Sequence, residues 1–275
     1  MKNKLKYFIR ILKLFFWPII LNVTQFLIIT IFTLFFNFNY KNSLKQEYQN
    51  LKDNEINIEF EKITNTDKYI HELNDFLEDN GTLIIIITTL VLLPFIIKVY
   101  NKLKNKNTKK IETKTYFNII FISILLSISL NIILYLINRV VSITNRYDNI
   151  QILLYTIIPT GMLGPILEDY IFRGIIFNKL KKFNKEKVAI ILTTIIFSIM
   201  HFELSQIIYT LIVGYFLTYL YSKTSNIKVS IISHITINIS TILLIPIILN
   251  TNLYIQIGTL ILMVLALDKI VLFSF

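Results

Sequence analysis

Apolar runs of about 18 or more residues recur along this chain, each long enough for a helix to cross a hydrocarbon core. That recurrence restricts the fold more than any other feature of the sequence. Backbone facing lipid must satisfy its own hydrogen bonds, so only helices or a closed barrel can span. No segment reads as a strand, which leaves helices. The candidate spans run approximately over 14–38, 82–100, 116–138, 151–177, 188–202, 207–221, 229–249 and 253–272. The expected fold is all-α: a polytopic transmembrane helix bundle of about eight helices. Composition agrees, since only 16% of the 275 residues are charged, against about 25% in soluble proteins.

Lys and Arg set the orientation. They concentrate in segments 2–13, 98–114 and 179–187, with Lys223, Lys228 and Lys269 on the same side of the alternating topology. The opposite side holds only Lys41, Lys45, Lys52, Lys62, Lys68, Arg139 and Arg146. The positive-inside rule therefore predicts that both termini are cytoplasmic, N-in and C-in. The net charge of +11 belongs to these flanks, so no nucleic-acid partner is expected. The run 14–38 is too long for a secretory signal and ends in Asn37-Phe38-Asn39-Tyr40, with no small-residue cleavage site. The chain has no cysteine, which excludes disulfides, Cys-ligated zinc and thiol chemistry. Alanine occurs only at Ala189 and Ala266 amid abundant Ile, Asn, Lys, Phe and Tyr, pointing to an AT-rich genome and the plasma membrane of a low-GC bacterium. The loop 39–80 is expected outside, as an acidic linker containing a helix near the membrane surface, with His71 an ordinary polar residue.

Against this background some polar residues are out of place, because a charge at the centre of a membrane helix costs roughly 2.5–3.5 kcal/mol on insertion scales. Glu168, Asp169 and Arg173 crowd into the fourth span. Asp169 and Arg173 are spaced i, i+4 and can pair, leaving Glu168 a step of about 100° away to act otherwise. Gly161, Gly164 and Pro165 loosen the helix just upstream. The fifth span ends in Phe197-Ser198-Ile199-Met200-His201, and the seventh carries His234 and Asn238, again i, i+4. Counting about 1.5 Å per residue from the cytoplasmic helix ends puts Glu168, His201, His234 and Asn238 at overlapping depths.

At these residues the sequence resembles the CAAX protease and bacteriocin-processing family of intramembrane peptidases, also called the abortive-infection family. Its pattern of Glu-Glu-x-x-x-Arg, Phe-x-x-x-His and His-x-x-x-Asn is met by Glu168 to Arg173, Phe197 to His201 and His234 to Asn238, with Asp169 replacing the second glutamate. The resemblance covers roughly 165–240 and implies three regions. These are N-terminal transmembrane helices with an extracytoplasmic loop (1–150, loop 39–80), a catalytic helical core (151–250) and a C-terminal transmembrane helix (251–275).

The resemblance further implies an intramembrane endopeptidase acting on a hydrophobic or membrane-associated peptide or protein. Glu168 and His201 would activate water, and His234 and Asn238 would stabilise the oxyanion. Asp169, Arg173 and Phe197 would be structural, with Asp169 and Arg173 orienting Glu168. Metal dependence stays open: His201, His234 and Glu168 could together hold a zinc ion, but no His-Glu-x-x-His motif is present. The competing reading is a non-catalytic bacteriocin self-immunity or membrane scaffold protein. A proton-coupled transporter is a third, against which the lack of an internal repeat argues.

Overall fold

A computed structural model describes residues 2–53, 66–104, 108, 110–141 and 157–273, and among these every regular element is helical. In chain order they are α1 (Lys2–Leu12), α2 (Phe16–Asp53), α3 (Thr66–Asp79), α4 (Gly81–Leu103) and α5 (Thr113–Val141). An irregular helix α6 (157–181) follows, then α7 (Glu186–Ile199), α8 (Leu204–Thr224), α9 (Ile227–Leu249) and α10 (Leu253–Phe273). The helical bundle is the expected one. Among the described residues five helical stretches are long and apolar enough to cross a membrane: Leu5–Asp53, Gly81–Leu103, Thr113–Ile137, Leu204–Thr224 and Ile227–Leu249. Residues 151–156 of the fourth expected span lie outside the described residues.

One expectation is corrected. The expected outer loop 39–80 is largely helical, because α2 continues unbroken to Asp53. Its 38 residues rise about 57 Å, nearly twice a hydrocarbon core of about 30 Å, so its polar end must stand clear of the lipid. Helix α3 folds back against it through an aromatic ladder. Phe76 meets Phe36 at 5.3 Å, Tyr69 meets Tyr40 at 5.2 Å, and the Tyr69 hydroxyl donates to Asn37 Oδ1 at 2.6 Å. His71 sits in α3, exposed, 2.9 Å from Asp75. The expected fifth span (188–202) is short. Helix α7 has 14 residues and rises about 21 Å, and the chain turns back at 200–203 into α8.

Helix α6 forms the centre. Everything from Ile171 to Phe177 on it is buried, packed with Trp17, Ile96, Tyr100, Phe197 and Tyr221 from four neighbouring helices. Its backbone is π-helical over Ile157–Leu163 and Tyr170–Phe177, with an α-helical turn at Gly164–Asp169 between them. Pro159 and Pro165 each remove a backbone donor, and π segments are frequent at functional sites. At Gly174 a Cβ would sit 2.9 Å from the Tyr100 ring, so only glycine admits this approach of α4.

The other main contact, α5 against α9, is a seam of small hydroxyl residues, the pattern by which helices approach closely in lipid. Ser123 and Ser233 hydroxyls meet at 2.6 Å, and Ser127 donates to the Ile237 carbonyl at 3.1 Å. The hairpin of α7 and α8 is tied at its open end, where Glu186 accepts from Ser222 and pairs with Lys181 at 3.1 Å. Its tip carries His201.

Phe76 lies among Phe32, Phe35 and Phe36, so its ring holds the α2–α3 hairpin together. Phe76→Ala is expected to release α3 to limited proteolysis in membrane vesicles, with no new cleavage within 157–249. Unchanged resistance would show that the aromatic ladder is not what fixes α3.

Candidate active site

The site begins with a charge pair that has no contact with solvent. Asp169 and Arg173, one helical turn apart on α6, are each 0% exposed and 3.4 Å apart. Such a pair is costly to bury and is offset in part by each further polar partner it finds. Asp169 accepts from the Ser230 hydroxyl and pairs with His234 Nδ1 at 2.9 Å, both on α9. Arg173 Nη2 donates to the Gly214 carbonyl of α8 at 3.4 Å, and its guanidinium lies 4.4 Å over the Phe197 ring of α7, while its Nε and Nη1 are buried without a hydrogen-bond acceptor among the described residues. Four helices are therefore joined at one buried ion pair.

Phe197 is the second junction. Its ring is edge-on to Phe172 at 4.9 Å, to His201 at 4.8 Å and to His234 at 6.0 Å. Gly214 makes room for it: a Cβ there would sit 2.7 Å from Phe197 Cδ1. Sequence reasoning missed Gly214 and Ser230. Ser230 was legible in principle, since it lies one turn before His234 on the same face of α9. Gly214 is a lone glycine in an apolar helix, and nothing local shows what approaches it.

Glu168, 27% exposed, takes the opposite role to its buried neighbour. It faces a cavity of about 350 Å³ that is also lined by His201, His234 and Asn238. All four residues expected to carry chemistry therefore share one space. Glu168 Oε2 lies 3.8 Å from His234 Nε2, just beyond hydrogen-bonding length. His201 Nδ1 is engaged with the Phe197 carbonyl at 3.0 Å, so its Nε2 is the ring nitrogen left for chemistry. The Asn238 side-chain nitrogen donates to the Thr160 carbonyl at 3.0 Å, which leaves one further N–H on that nitrogen. Asp169 and Arg173 were expected to orient Glu168, and the hydrogen bonds of Asp169 reach another cavity residue. The bonds of Asp169 run to Arg173, Ser230 and His234, so His234 is the side chain it holds.

The zinc reading requires Glu168, His201 and His234 to converge. Among the described residues no three His or carboxylate side chains are grouped closely enough to hold a metal ion. As they stand, these residues do not fit a three-ligand site, and the chemistry below is assigned to the side chains themselves.

Residues 150–240 match the family described as Type II CAAX prenyl endopeptidase Rce1-like. A Bacillus subtilis (strain 168) protein named "Putative membrane peptidase YdiL" is 35% identical over 91 residues. That match covers 33% of this chain and 37% of the relative, so the chain spans little more than a third of the curated protein it matches. No solved structure matches significantly. The matched segment is the part of the chain that holds Asp169, Arg173, Phe197 and the four cavity residues.

Asp169→Asn would leave the Arg173 charge buried without its counter-charge, an arrangement that typically costs about 3–5 kcal/mol. A loss of that size is expected in unfolding from mild detergent into dodecyl sulfate. Gly214→Ala is expected to displace the Phe197 ring and lower stability by about 1–3 kcal/mol, the usual range for overpacking. Wild-type stability in both variants would remove the ion pair and the ring contact as the organising features of the site.

Proposed function

We propose that this chain is an intramembrane endopeptidase of the CAAX protease and bacteriocin-processing type, acting on hydrophobic or membrane-associated peptides, a reading supported by the match of residues 150–240 to the Rce1-like family. One observation carries the reading. Glu168, His201, His234 and Asn238 come from three separate helical stretches and line one cavity, while Asp169, adjacent to Glu168, is buried and holds His234.

Glu168 and His201 Nε2 hold a water in the cavity, and Glu168 takes its proton as the oxygen attacks the scissile carbonyl carbon. The carbonyl oxygen becomes an oxyanion and is met by His234 Nε2–H and the second N–H of Asn238. This role requires His234 to carry both ring protons, with Nδ1–H directed at Asp169. The charges of Asp169, Arg173, Glu168 and His234 then sum to zero, which suits a low-dielectric site. When the tetrahedral intermediate breaks down, Glu168 passes the proton to the departing amide nitrogen. The products are a new carboxylate and a new amine.

A cytoplasmic placement of both termini, in the plasma membrane of a low-GC bacterium, follows from the distribution of Lys and Arg and from composition. The competing reading is a non-catalytic immunity or scaffold protein, which would tolerate loss of Glu168.

Comparative peptidomics of membranes and medium from cells with wild-type protein, Glu168→Ala and a deletion separates the two. Removing a general base lowers such steps by about 10²–10⁴-fold, so the same peptide products are expected to vanish in Glu168→Ala and in the deletion. A Glu168→Ala strain that matches wild type, while the deletion has a phenotype, would leave the scaffold reading in place. Product formation by the purified protein is expected to persist in 1,10-phenanthroline. A loss restored by zinc would instead assign the activated water to a metal.

A further inference from the structure

The cavity has a wall outside the family-matched segment. Gln25, on α2, lines it together with Ile85 of α4. Helix α2 otherwise stands largely clear of the bundle, with only 6% of its apolar window buried inside the protein. Its neighbours Phe26 and Leu27 are exposed, as expected of side chains that face lipid. An amide in such a helix has no apolar reason to be there. Thr24, beside it, satisfies its hydroxyl on the Ile20 carbonyl at 2.8 Å, whereas the Gln25 amide has no hydrogen-bond partner among the described residues. A second amide, Gln206, lines the same cavity from the first turn of α8, and its side chain also makes no hydrogen bond among the described residues.

A primary amide carries a carbonyl acceptor and an N–H donor side by side. That is the complement of the N–H and C=O of a single extended residue in a peptide chain. A helical segment has no such groups to offer, because its backbone bonds are made internally. Ile85, Val213 and Ile242 add aliphatic surface that suits apolar side chains, beside the hydroxyls of Tyr209, Thr210 and Thr241.

Resting on the peptidase reading above, we propose that Gln25 is a substrate-positioning residue. It pairs through its side-chain amide with the main chain of an extended, apolar substrate segment, opposite Gln206. The substrate would then have to be unwound at the cleavage site. Selectivity would come in part from α2, a helix outside residues 150–240, and not only from the matched core.

The test compares Gln25→Leu, which keeps the size but removes the amide, with Gln25→Asn, which keeps the amide, at equal protein levels in the membrane. The probe is the peptide whose cleavage Glu168→Ala abolishes. It is assayed as a synthetic substrate with the full-length protein in bilayer nanodiscs. A pairing made equally in the ground and transition states appears in KM. Gln25→Leu is therefore expected to lower kcat/KM by about tenfold through KM, with kcat within about threefold of wild type. Gln25→Asn is expected to recover at least half of the loss. The proposal is overturned if Gln25→Leu cleaves as wild type does, or if Gln25→Asn is as impaired as Gln25→Leu, which marks a purely structural role. A peptidome unchanged by Glu168→Ala gives a different pattern: it removes the peptidase reading and this inference with it.

Discussion

A carboxylate and a guanidinium buried out of all contact with water, at Asp169 and Arg173, determine how four helices of this protein meet. In a low-dielectric interior neither charge is tolerable alone, and the pair draws further support from the polar and aromatic groups around it. Ser230 and His234 of α9 answer Asp169. Gly214 of α8 and the Phe197 ring of α7 answer Arg173. Moving any of these helices by a fraction of a turn would strand one of the charges, so the arrangement of α6 to α9 follows from the pair.

The position of the cavity side chains is a consequence. His234 is fixed at Nδ1 by Asp169, which turns Nε2 toward Glu168. His201 is fixed at Nδ1 by the carbonyl of Phe197, the same residue whose ring lies under Arg173. Both imidazoles are held from behind and present one nitrogen to the cavity. The orientation of both rings is therefore set by buried partners and not by solvent. The π-helical stretches of α6 sit on either side of the Glu168–Asp169 turn, so the irregular backbone and the buried charge coincide.

Where the sequence could be read, the reason was local. Apolar runs mark helices because a membrane admits little else. The i, i+4 spacings of Asp169 with Arg173 and of His234 with Asn238 are facts of helix geometry. The same reasoning went astray over 39–80, where acidity said nothing about where a helix stops. Helix α2 runs on to Asp53, and α3 packs back on it through aromatic rings, a contact between residues more than thirty positions apart.

The sequence by itself determined that this is a helical membrane protein and which few polar residues stand inside its apolar stretches, since lipid penalises each of them unless it has a use or a partner. Only the tertiary structure decided which partner. Asp169 could have served Glu168 or His234, and the choice rests on how α9 packs against α6. Gly214 acquires its meaning from a ring on another helix, and Gln25 from a cavity built mainly by residues well over a hundred positions away. Side-chain spacing is written along the chain. Which faces of different helices oppose one another is set by packing, and no local pattern records it.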